Sequence, residues 1–363
     1  MSAKALHITV PSAEARSPLW VGRNILPTLP SLIESSRYSR VLVVGDYGAQ
    51  AIAAHIAEAL KLSQDSTLVL KGGEECKSIG EVAEVWSFFA GQKLDRKGLV
   101  IGVGGGAVTD MVGFAAATYM RGIAFVAVPT TLLAQVDASI GGKTGINFSG
   151  VKNLIGAITQ PVGVLIDVAV LKTLPAREIR SGFAEIIKHG LIADRGYFAH
   201  VTSRECSSWS EEELVDIVFR SCEIKSSVVE QDPLEQGLRK ALNFGHTLGH
   251  ALEAHSLKAG IPLTHGEAIS IGMNAACFIS RKMNRLSEEM QLTCVAGITR
   301  AGLPVTLPTA IPKERLIELL TLDKKNVGGT SRWTLLSGIG SVIIDQQVPR
   351  EIVDEAILHI QPT

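Results

Sequence analysis

The chain has 363 residues, a formal charge of −1, 46% hydrophobic residues and 35 glycines. That length exceeds one ordinary core and predicts two domains, and the composition fits a well-buried α/β enzyme rather than a disordered or fibrous chain. A nearly neutral chain has no global pull toward nucleic acid or membrane, so affinity for an anionic ligand must come from locally placed cations. Neither a signal-peptide h-region nor an apolar run of transmembrane length is found. The cysteines (Cys76, Cys206, Cys222, Cys277 and Cys294) are odd in number and scattered without a C-x-x-C pair. Reduced thiols and a cytoplasmic location are therefore expected.

Along the first half, short β-rich runs alternate with helical patterns. Arg40–Gly45, Thr67–Leu70, Gly98–Val103, Ile123–Val128 and Gly163–Ile166 read as strands. Tyr47–Leu60, Ile79–Gln92 and about Val108 to Thr118 read as helices between them. This alternation predicts βαβ units and a parallel, Rossmann-like doubly wound sheet. After Leu174-Pro175 the texture becomes mostly helical: Glu178–Ala193, Glu211–Gln231, Leu238–His255, Gly266–Met283, Ser287–Ala301 and Pro312–Leu322, with small strands at Trp333–Leu336 and Val342–Ile344. The expected domains are therefore 1–175 and 176–363. Ligands in such sheets bind past the carboxyl ends of the strands, so the active site is expected in an interdomain cleft.

Three constellations carry chemistry. Gly102-Val-Gly104-Gly105-Gly106-Ala107 follows a strand and opens a helix, the context in which bare backbone lets a pyrophosphate reach helix N-terminal amides. Asp46 and Thr130-Thr131 end neighbouring strands; they can contact a nucleotide or simply cap the next helical turn. Gly141-Gly142-Lys143-Thr144 hints at a Walker loop, but no Gly stands where the pattern requires its first one. Lys143, Lys152 and Asn153 in a glycine-rich loop still suit an anion. Finally, at 100° per residue, Arg239, Asn243, His246, His250 and Glu253 share one helical stripe. Histidines at i and i+4 can grip one metal, and Glu185, with His189 as a competitor, is the best carboxylate for a Glu/His/His shell with His246 and His265. Glu185 and Lys188 could equally be an ordinary i, i+3 ion pair.

Taken together, these segments resemble the 3-dehydroquinate synthase family of sugar-phosphate cyclases over nearly the whole chain. The motifs in register are Gly73-Glu74-Glu-Cys-Lys77, Gly104-Gly-Gly-Ala-Val-Thr-Asp110, Val128-Pro-Thr-Thr-Leu-Leu-Ala-Gln-Val-Asp137, Gly141-Gly-Lys143-Thr, Lys152-Asn153, Leu171-Lys-Thr-Leu-Pro-Ala-Arg177, Glu185-Ile-Ile-Lys188, Asn243-Phe-Gly-His246-Thr-Leu-Gly-His250, His265-Gly-Glu267 and Asp323-Lys324-Lys325. The resemblance implies an NAD-binding domain joined to a helical metal- and substrate-binding domain. It implies zinc, with cobalt possible, held by Glu185, His246 and His265, which leaves His250 on the substrate side. NAD contacts are implied for Asp46, Gly72, Gly73, Glu74, Lys77, Gly105, Gly106, Asp110, Thr130, Thr131, Lys143, Lys152 and Thr173. Substrate contacts are implied for Asp137, Lys143, Lys152, Asn153, Lys188, Lys225, Glu235, Arg239, Asn243, His250 and one of Lys324 and Lys325. Arg121 matches an arginine that reaches the partner subunit's site, implying a homodimer.

The implied activity is conversion of 3-deoxy-D-arabino-heptulosonate 7-phosphate to 3-dehydroquinate and phosphate, the second step of the shikimate pathway. Three alternatives stand beside it, one being a non-catalytic NAD-binding or regulatory protein, which would be expected to lose a metal ligand or catalytic side chain where none is missing. A related sugar-phosphate cyclase would alter the positions facing carboxylate and phosphate, yet Lys225, Arg239, Leu242 and Asn243 keep the dehydroquinate pattern. A metal-dependent alcohol or glycerol dehydrogenase would release NADH and has no use for so many lysines.

Overall fold

A computed structural model of the chain describes residues 4–9, 16–321 and 332–362. In chain order the elements are β1 (Lys4–Thr9), β2 (Arg16–Gly22), α1 (Leu29–Leu32), β3 (Val41–Asp46), α2 (Gln50–Ala59), β4 (Thr67–Leu70), α3 (Ile79–Gly91), β5 (Leu99–Gly104), α4 (Gly106–Thr118), β6 (Ala124–Pro129), β7 (Lys143–Phe148), β8 (Val151–Ile158) and β9 (Gly163–Asp167). Next come α5 (Ala176–Ala193), α6 (Arg195–Val201), α7 (Glu211–Gln231), α8 (His246–Lys258), α9 (His265–Lys282), α10 (Glu288–Arg300), α11 (Lys313–Thr321), β10 (Arg332–Gly338), β11 (Ser341–Gln347) and α12 (Arg350–His359). No helix among the described residues is long and apolar enough to cross a membrane.

The chain divides into two units, residues 1–174 with 210–230, and residues 175–209 with 231–363. This is not a single cut near residue 175, because α7 leaves the helical half and packs with the first unit. Its contacts there are Arg23 with Glu211 at 2.5 Å, the Cys222 thiol on the Gln135 carbonyl at 3.5 Å, and Lys225 on the Asp137 carbonyl at 2.6 Å. Amphipathic periodicity reports that a helix buries one face but not against which partner.

The first unit holds a seven-stranded sheet in the order β1-β2-β9-β6-β5-β3-β4, parallel except for β1 against β2. Its central strands β5 and β9 are buried at every position, which is why they read as continuous apolar runs without alternation. β7 and β8 form a separate antiparallel hairpin. The glycine-rich loop expected around Lys143 is therefore short: Gly141 and Gly142 turn with positive φ, and Lys143 already begins a strand. No helix comes after Lys143-Thr144, which removes the Walker reading on structural grounds.

In the second unit α8 and α9 pack together and α9 also packs on α5. The helix expected over Leu238–His255 is broken. Residues Leu238–Asn243 form a 3-10 turn, Gly245 adopts φ +80°, and α8 starts at His246. Only glycine takes that left-handed turn without a penalty, and the carbonyl of Gly245 lies where a side chain on Gly272 of α9 would need to be, 2.1 Å from an added Cβ. The single stripe from Arg239 to Glu253 therefore does not exist as one helical face, although His246, His250 and Glu253 do share α8.

Gly266 brings α9 onto α5: a Cβ there would lie 2.1 Å from the Ser181 carbonyl oxygen, and its N–H donates to Ser181 Oγ at 3.0 Å. Substituting Gly266→Ala forces backbone apart from backbone, so the variant is expected to lose about 2 kcal/mol of stability in denaturant unfolding.

Candidate active site

The first unit gathers one set of expected residues at its topological switch point. β3 pairs with β4 on one side and β5 on the other, so the strand order reverses there, and open parallel sheets bind ligands beyond the strand ends at such a point. Asp46 ends β3, Gly104 ends β5, and Gly105-Gly106 opens α4. The Thr130 N–H donates to the Gly104 carbonyl at 2.9 Å, and Thr131 lies against Gly105. Gly72 and Gly73 follow β4, with Gly72 against Asp46. Side-chain-free amides at the start of a helix, flanked by a carboxylate and two hydroxyls, fit a dinucleotide. Capping is also real: Asp46 Oδ1 accepts from the Ala49 N–H at 2.8 Å and Thr131 Oγ1 from the Ala134 N–H at 3.2 Å. Burial pushes the Asp46 carboxyl above its ordinary value against the pull of the Ala49 and Gly48 amides. Thr173 stands at the exposed end of the turn after β9, two strands from β5.

A second cluster joins the Glu74 turn, α4 and the hairpin. Lys77 on the loop before α3 donates to Asp110 of α4 at 2.7 Å and to the Asn153 side chain on β8. Asn147 on β7 ties the rest together. Its amide donates to Glu74 at 2.8 Å, its side-chain oxygen accepts from the Asn153 N–H at 2.9 Å, and its N–H donates to the Lys77 carbonyl at 2.8 Å. Asn147 thus touches three expected ligand-binding residues, a role sequence reasoning missed because no local spacing links positions 74, 77, 147 and 153. Asn153 holds left-handed backbone at φ +51°, a strained conformation of the kind that collects at functional sites. Asp110, Lys143, Thr144 and Asn153 line a cavity of about 290 Å³. Lys152 lies next to Asn153, on the exposed side of β8. Burial raises the Asp110 carboxyl to about 6, with Lys77 opposing the rise.

The second unit holds the candidate metal centre. Glu185 on α5, His246 at the start of α8 and His265 at the start of α9 bring one donor atom each within 4.8 Å of one another. His246 Nε2 and His265 Nε2 lie 3.6 and 3.4 Å from Glu185 Oε1. Tetrahedral zinc with bonds of about 2.05 Å needs donor separations of roughly 3.3 Å, so one carboxylate and two imidazoles at these distances fit the ion. His250 is outside this group, its ring 5.1 Å from that of His246 and nearly perpendicular to it. His189 is fully buried on α5 and does not belong to the Glu185–His246–His265 group. Lys188 pairs with Glu185 Oε2. Burial opposes a charge on His265, but hydrogen bonds and charge from Glu185 and Glu253 outweigh it and push the imidazole up to about 10. A metal at this centre would have to displace that proton.

α9 is anchored just where His265 projects. Thr264 and Glu267 form a capping box, and Arg177 grips Glu267 with two bonds of 2.8 and 2.7 Å while donating to the Pro262 carbonyl at 2.9 Å. Glu267 of the His-Gly-Glu motif is therefore a structural residue. In the loop ahead of the broken helix, the Asp232 carboxylate accepts from the backbone of Gln236, Gly237 and Arg239. Asn243 donates to Glu235 at 2.8 Å, and the Arg239 guanidinium donates to the Pro233 carbonyl at 2.7 Å. These residues thus form one local cluster despite the helix break. In the first unit Lys225 of α7 grips Asp137 through both carboxylate and carbonyl. Arg121 is exposed beyond α4 at φ +67°. Lys324 and Lys325 lie outside the described residues.

The family signature described as 3-dehydroquinate synthase N-terminal matches residues 67–181, and the one described as 3-dehydroquinate synthase C-terminal matches residues 182–326. The chain belongs to the 3-dehydroquinate synthase family. The 3-dehydroquinate synthase of Rippkaea orientalis is 45% identical over 297 residues, 81% of each chain. Among solved structures, a 2-deoxy-scyllo-inosose synthase complexed with carbaglucose-6-phosphate, NAD+ and Co2+ has a TM-score of 0.88 at 26% identity, covering 98% of this chain and 99% of that one. ValA, a 2-epi-5-epi-valiolone synthase from Streptomyces hygroscopicus with NAD+ and Zn2+ bound, has a TM-score of 0.85 at 26% identity, covering 97% and 98%.

The Asp110 shift carries a sign. Its folded value of about 6 lies above the ordinary 3.8, so its contribution to stability is full below the unfolded value and is lost as pH rises from about 4 to about 6. Unfolding titrations of the wild type and Asp110→Asn should show the wild type losing on the order of 3 kcal/mol relative to the variant across that window, with no further divergence above it.

Proposed function

We propose that this member of the 3-dehydroquinate synthase family converts 3-deoxy-D-arabino-heptulosonate 7-phosphate to 3-dehydroquinate and phosphate, a carbon–oxygen lyase reaction with transient oxidation, β-elimination, re-reduction and intramolecular aldol closure. The observation that carries it is the conjunction of a Glu/His/His donor set with a dinucleotide cradle and a surplus of placed lysines in a chain of formal charge −1. Bound NAD would supply a hydride acceptor restored in each turnover, and zinc at Glu185, His246 and His265 would supply a Lewis acid for the substrate hydroxyls.

The protein's own residues then have distinct tasks. Asp46, Gly72, Gly73, Glu74, Lys77, Gly105, Gly106, Asp110, Thr130, Thr131 and Thr173 hold the dinucleotide, with Lys143 and Lys152 reaching both cofactor and substrate. Lys188, Lys225, Arg239 and one of Lys324 and Lys325 answer the substrate's carboxylate and phosphate, for which fixed cations are suited. Asn243 and His250 hold the phosphate while it leaves, its own oxygen acting as base. Asp137 and Glu235 contact the substrate and orient Lys225 and Asn243, as the Lys225–Asp137 and Asn243–Glu235 bonds suggest, and Asn153 contacts the substrate beside Lys152. The active species is a cytoplasmic homodimer in which Arg121 serves the partner subunit's site. Its left-handed, exposed placement and the five buried free cysteines support this reading.

Purified protein is expected to release phosphate from the heptulosonate phosphate with no net change in nicotinamide absorbance. Accumulating NADH would instead indicate a dehydrogenase. The two histidines of α8 should separate. His246→Ala is expected to lose both metal and activity, whereas His250→Ala keeps zinc and slows phosphate release by about 100-fold or more. Metal analysis decides between them, and equal zinc in both variants would overturn the division of roles.

A further inference from the structure

Both imidazoles of the donor set present Nε2 to Glu185, and each has an acceptor behind its other nitrogen. His246 Nδ1 lies 3.1 Å from the Phe244 carbonyl. A carbonyl only accepts, so that contact requires the proton on Nδ1 and leaves the Nε2 lone pair free to bind a metal. His265 Nδ1 lies 3.4 Å from Glu253 Oε2, with its Nε2 3.4 Å from Glu185. The two rings are therefore held alike, but one by a neutral backbone group and the other by a carboxylate.

Glu253 sits two helical turns after His246 on α8. One helix thus carries a donor of its own and the group that steadies the donor of α9. The anchoring of α9 by Thr264, Glu267 and Arg177 fixes where His265 starts, but none of those contacts reaches its ring. Among the contacts described for the His265 ring, Glu253 is the acceptor behind Nδ1, while Glu185 faces Nε2.

We propose that Glu253 is a positioning residue for the metal centre: it holds the His265 proton on Nδ1, aims Nε2 at the ion and adds negative charge behind it. This rests on the reading of Glu185, His246 and His265 as zinc ligands. Outer carboxylates of this kind contribute roughly 10- to 100-fold to metal affinity.

Zinc affinity, measured by competition with a chromophoric chelator, tests this in the wild type, His246→Ala, Glu253→Ala and Glu253→Gln, with circular dichroism to confirm folding. Glu253→Ala is expected to bind zinc roughly 10- to 100-fold more weakly than the wild type. Glu253→Gln, which can still accept from Nδ1 but carries no charge, should fall between the two. In cobalt-loaded protein the visible ligand-field bands should shift in the glutamine variant, which a mere helix-to-helix tie would not cause. If Glu253→Ala fails to fold, the glutamine variant decides, and wild-type affinity with unshifted cobalt bands overturns the proposal. Wild-type zinc binding with unchanged affinity in folded Glu253→Ala overturns it alone. Absence of zinc binding in the wild type, or its persistence in His246→Ala, overturns the ligand assignment and this inference with it.

Discussion

A carboxylate with no solvent exposure, Glu185 on α5, is the constraint around which the second unit is arranged. Burying a lone carboxylate costs several kcal/mol even after relaxation, so it must be met by positive charge at close range. Its neighbours on α5 from Ser181 to Ile192 are buried as well. Lys188 one turn along, His246 from α8 and His265 from α9 supply the compensation. A proton on His265, held up to about 10, and a divalent ion are two ways of meeting the same demand. The demand reaches into the packing. Three helices must approach until their donors stand about one metal coordination shell apart, and this is why the α5–α9 contact admits no side chain at position 266.

The first unit obeys a different constraint, strand order. A glycine-rich phosphate turn is usually sought after the first strand, whereas Gly104–Gly106 comes after the third strand read from the sequence. The sheet order resolves the discrepancy. β4 lies outside β3 and the chain returns on the other side with β5, so the β3–β5 junction is the place where the order reverses. Position in the sheet, not position in the chain, decides which turn can cradle a dinucleotide. The added strands β1 and β2 extend the sheet beyond β9 without disturbing that junction.

Legibility in the sequence divides along the same line. Buried parallel strands announce themselves as apolar runs, so the five strands expected from Arg40 to Ile166 agree with the structure to within a residue or two at their ends. The break at Phe244-Gly245 is hidden because the residues on either side keep helical spacing. The left-handed glycine is required by the approach of Gly272 from α9, and such an approach is a tertiary fact. The hairpin of β7 and β8 is hidden because glycine-rich segments carry little alternation. In the site, Glu185, His246 and His265 can be proposed as a donor set from residue type and motif. Glu253 and Asn147 cannot be given roles that way, since their partners lie 12 residues away for Glu253 and 73 for Asn147 with Glu74. Contacts that couple segments so far apart leave no periodic trace.

A chain of formal charge −1 that must grip an anionic dinucleotide and a substrate bearing both a carboxylate and a phosphate faces a problem of storage. Lysines are costly to bury, yet Lys77, Lys188 and Lys225 are only 4%, 1% and 6% exposed. Each is held by a carboxylate: Asp110, Glu185 and Asp137 respectively. Pairing keeps each cation nearly neutral in its surroundings until an anion competes for it, and holds its long side chain in one geometry. It also means that truncating any of these lysines removes a charge partner from a carboxylate, a loss of stability that is separate from loss of binding. Steady-state constants for such variants therefore mix two effects, and unfolding titrations of the same variants separate them.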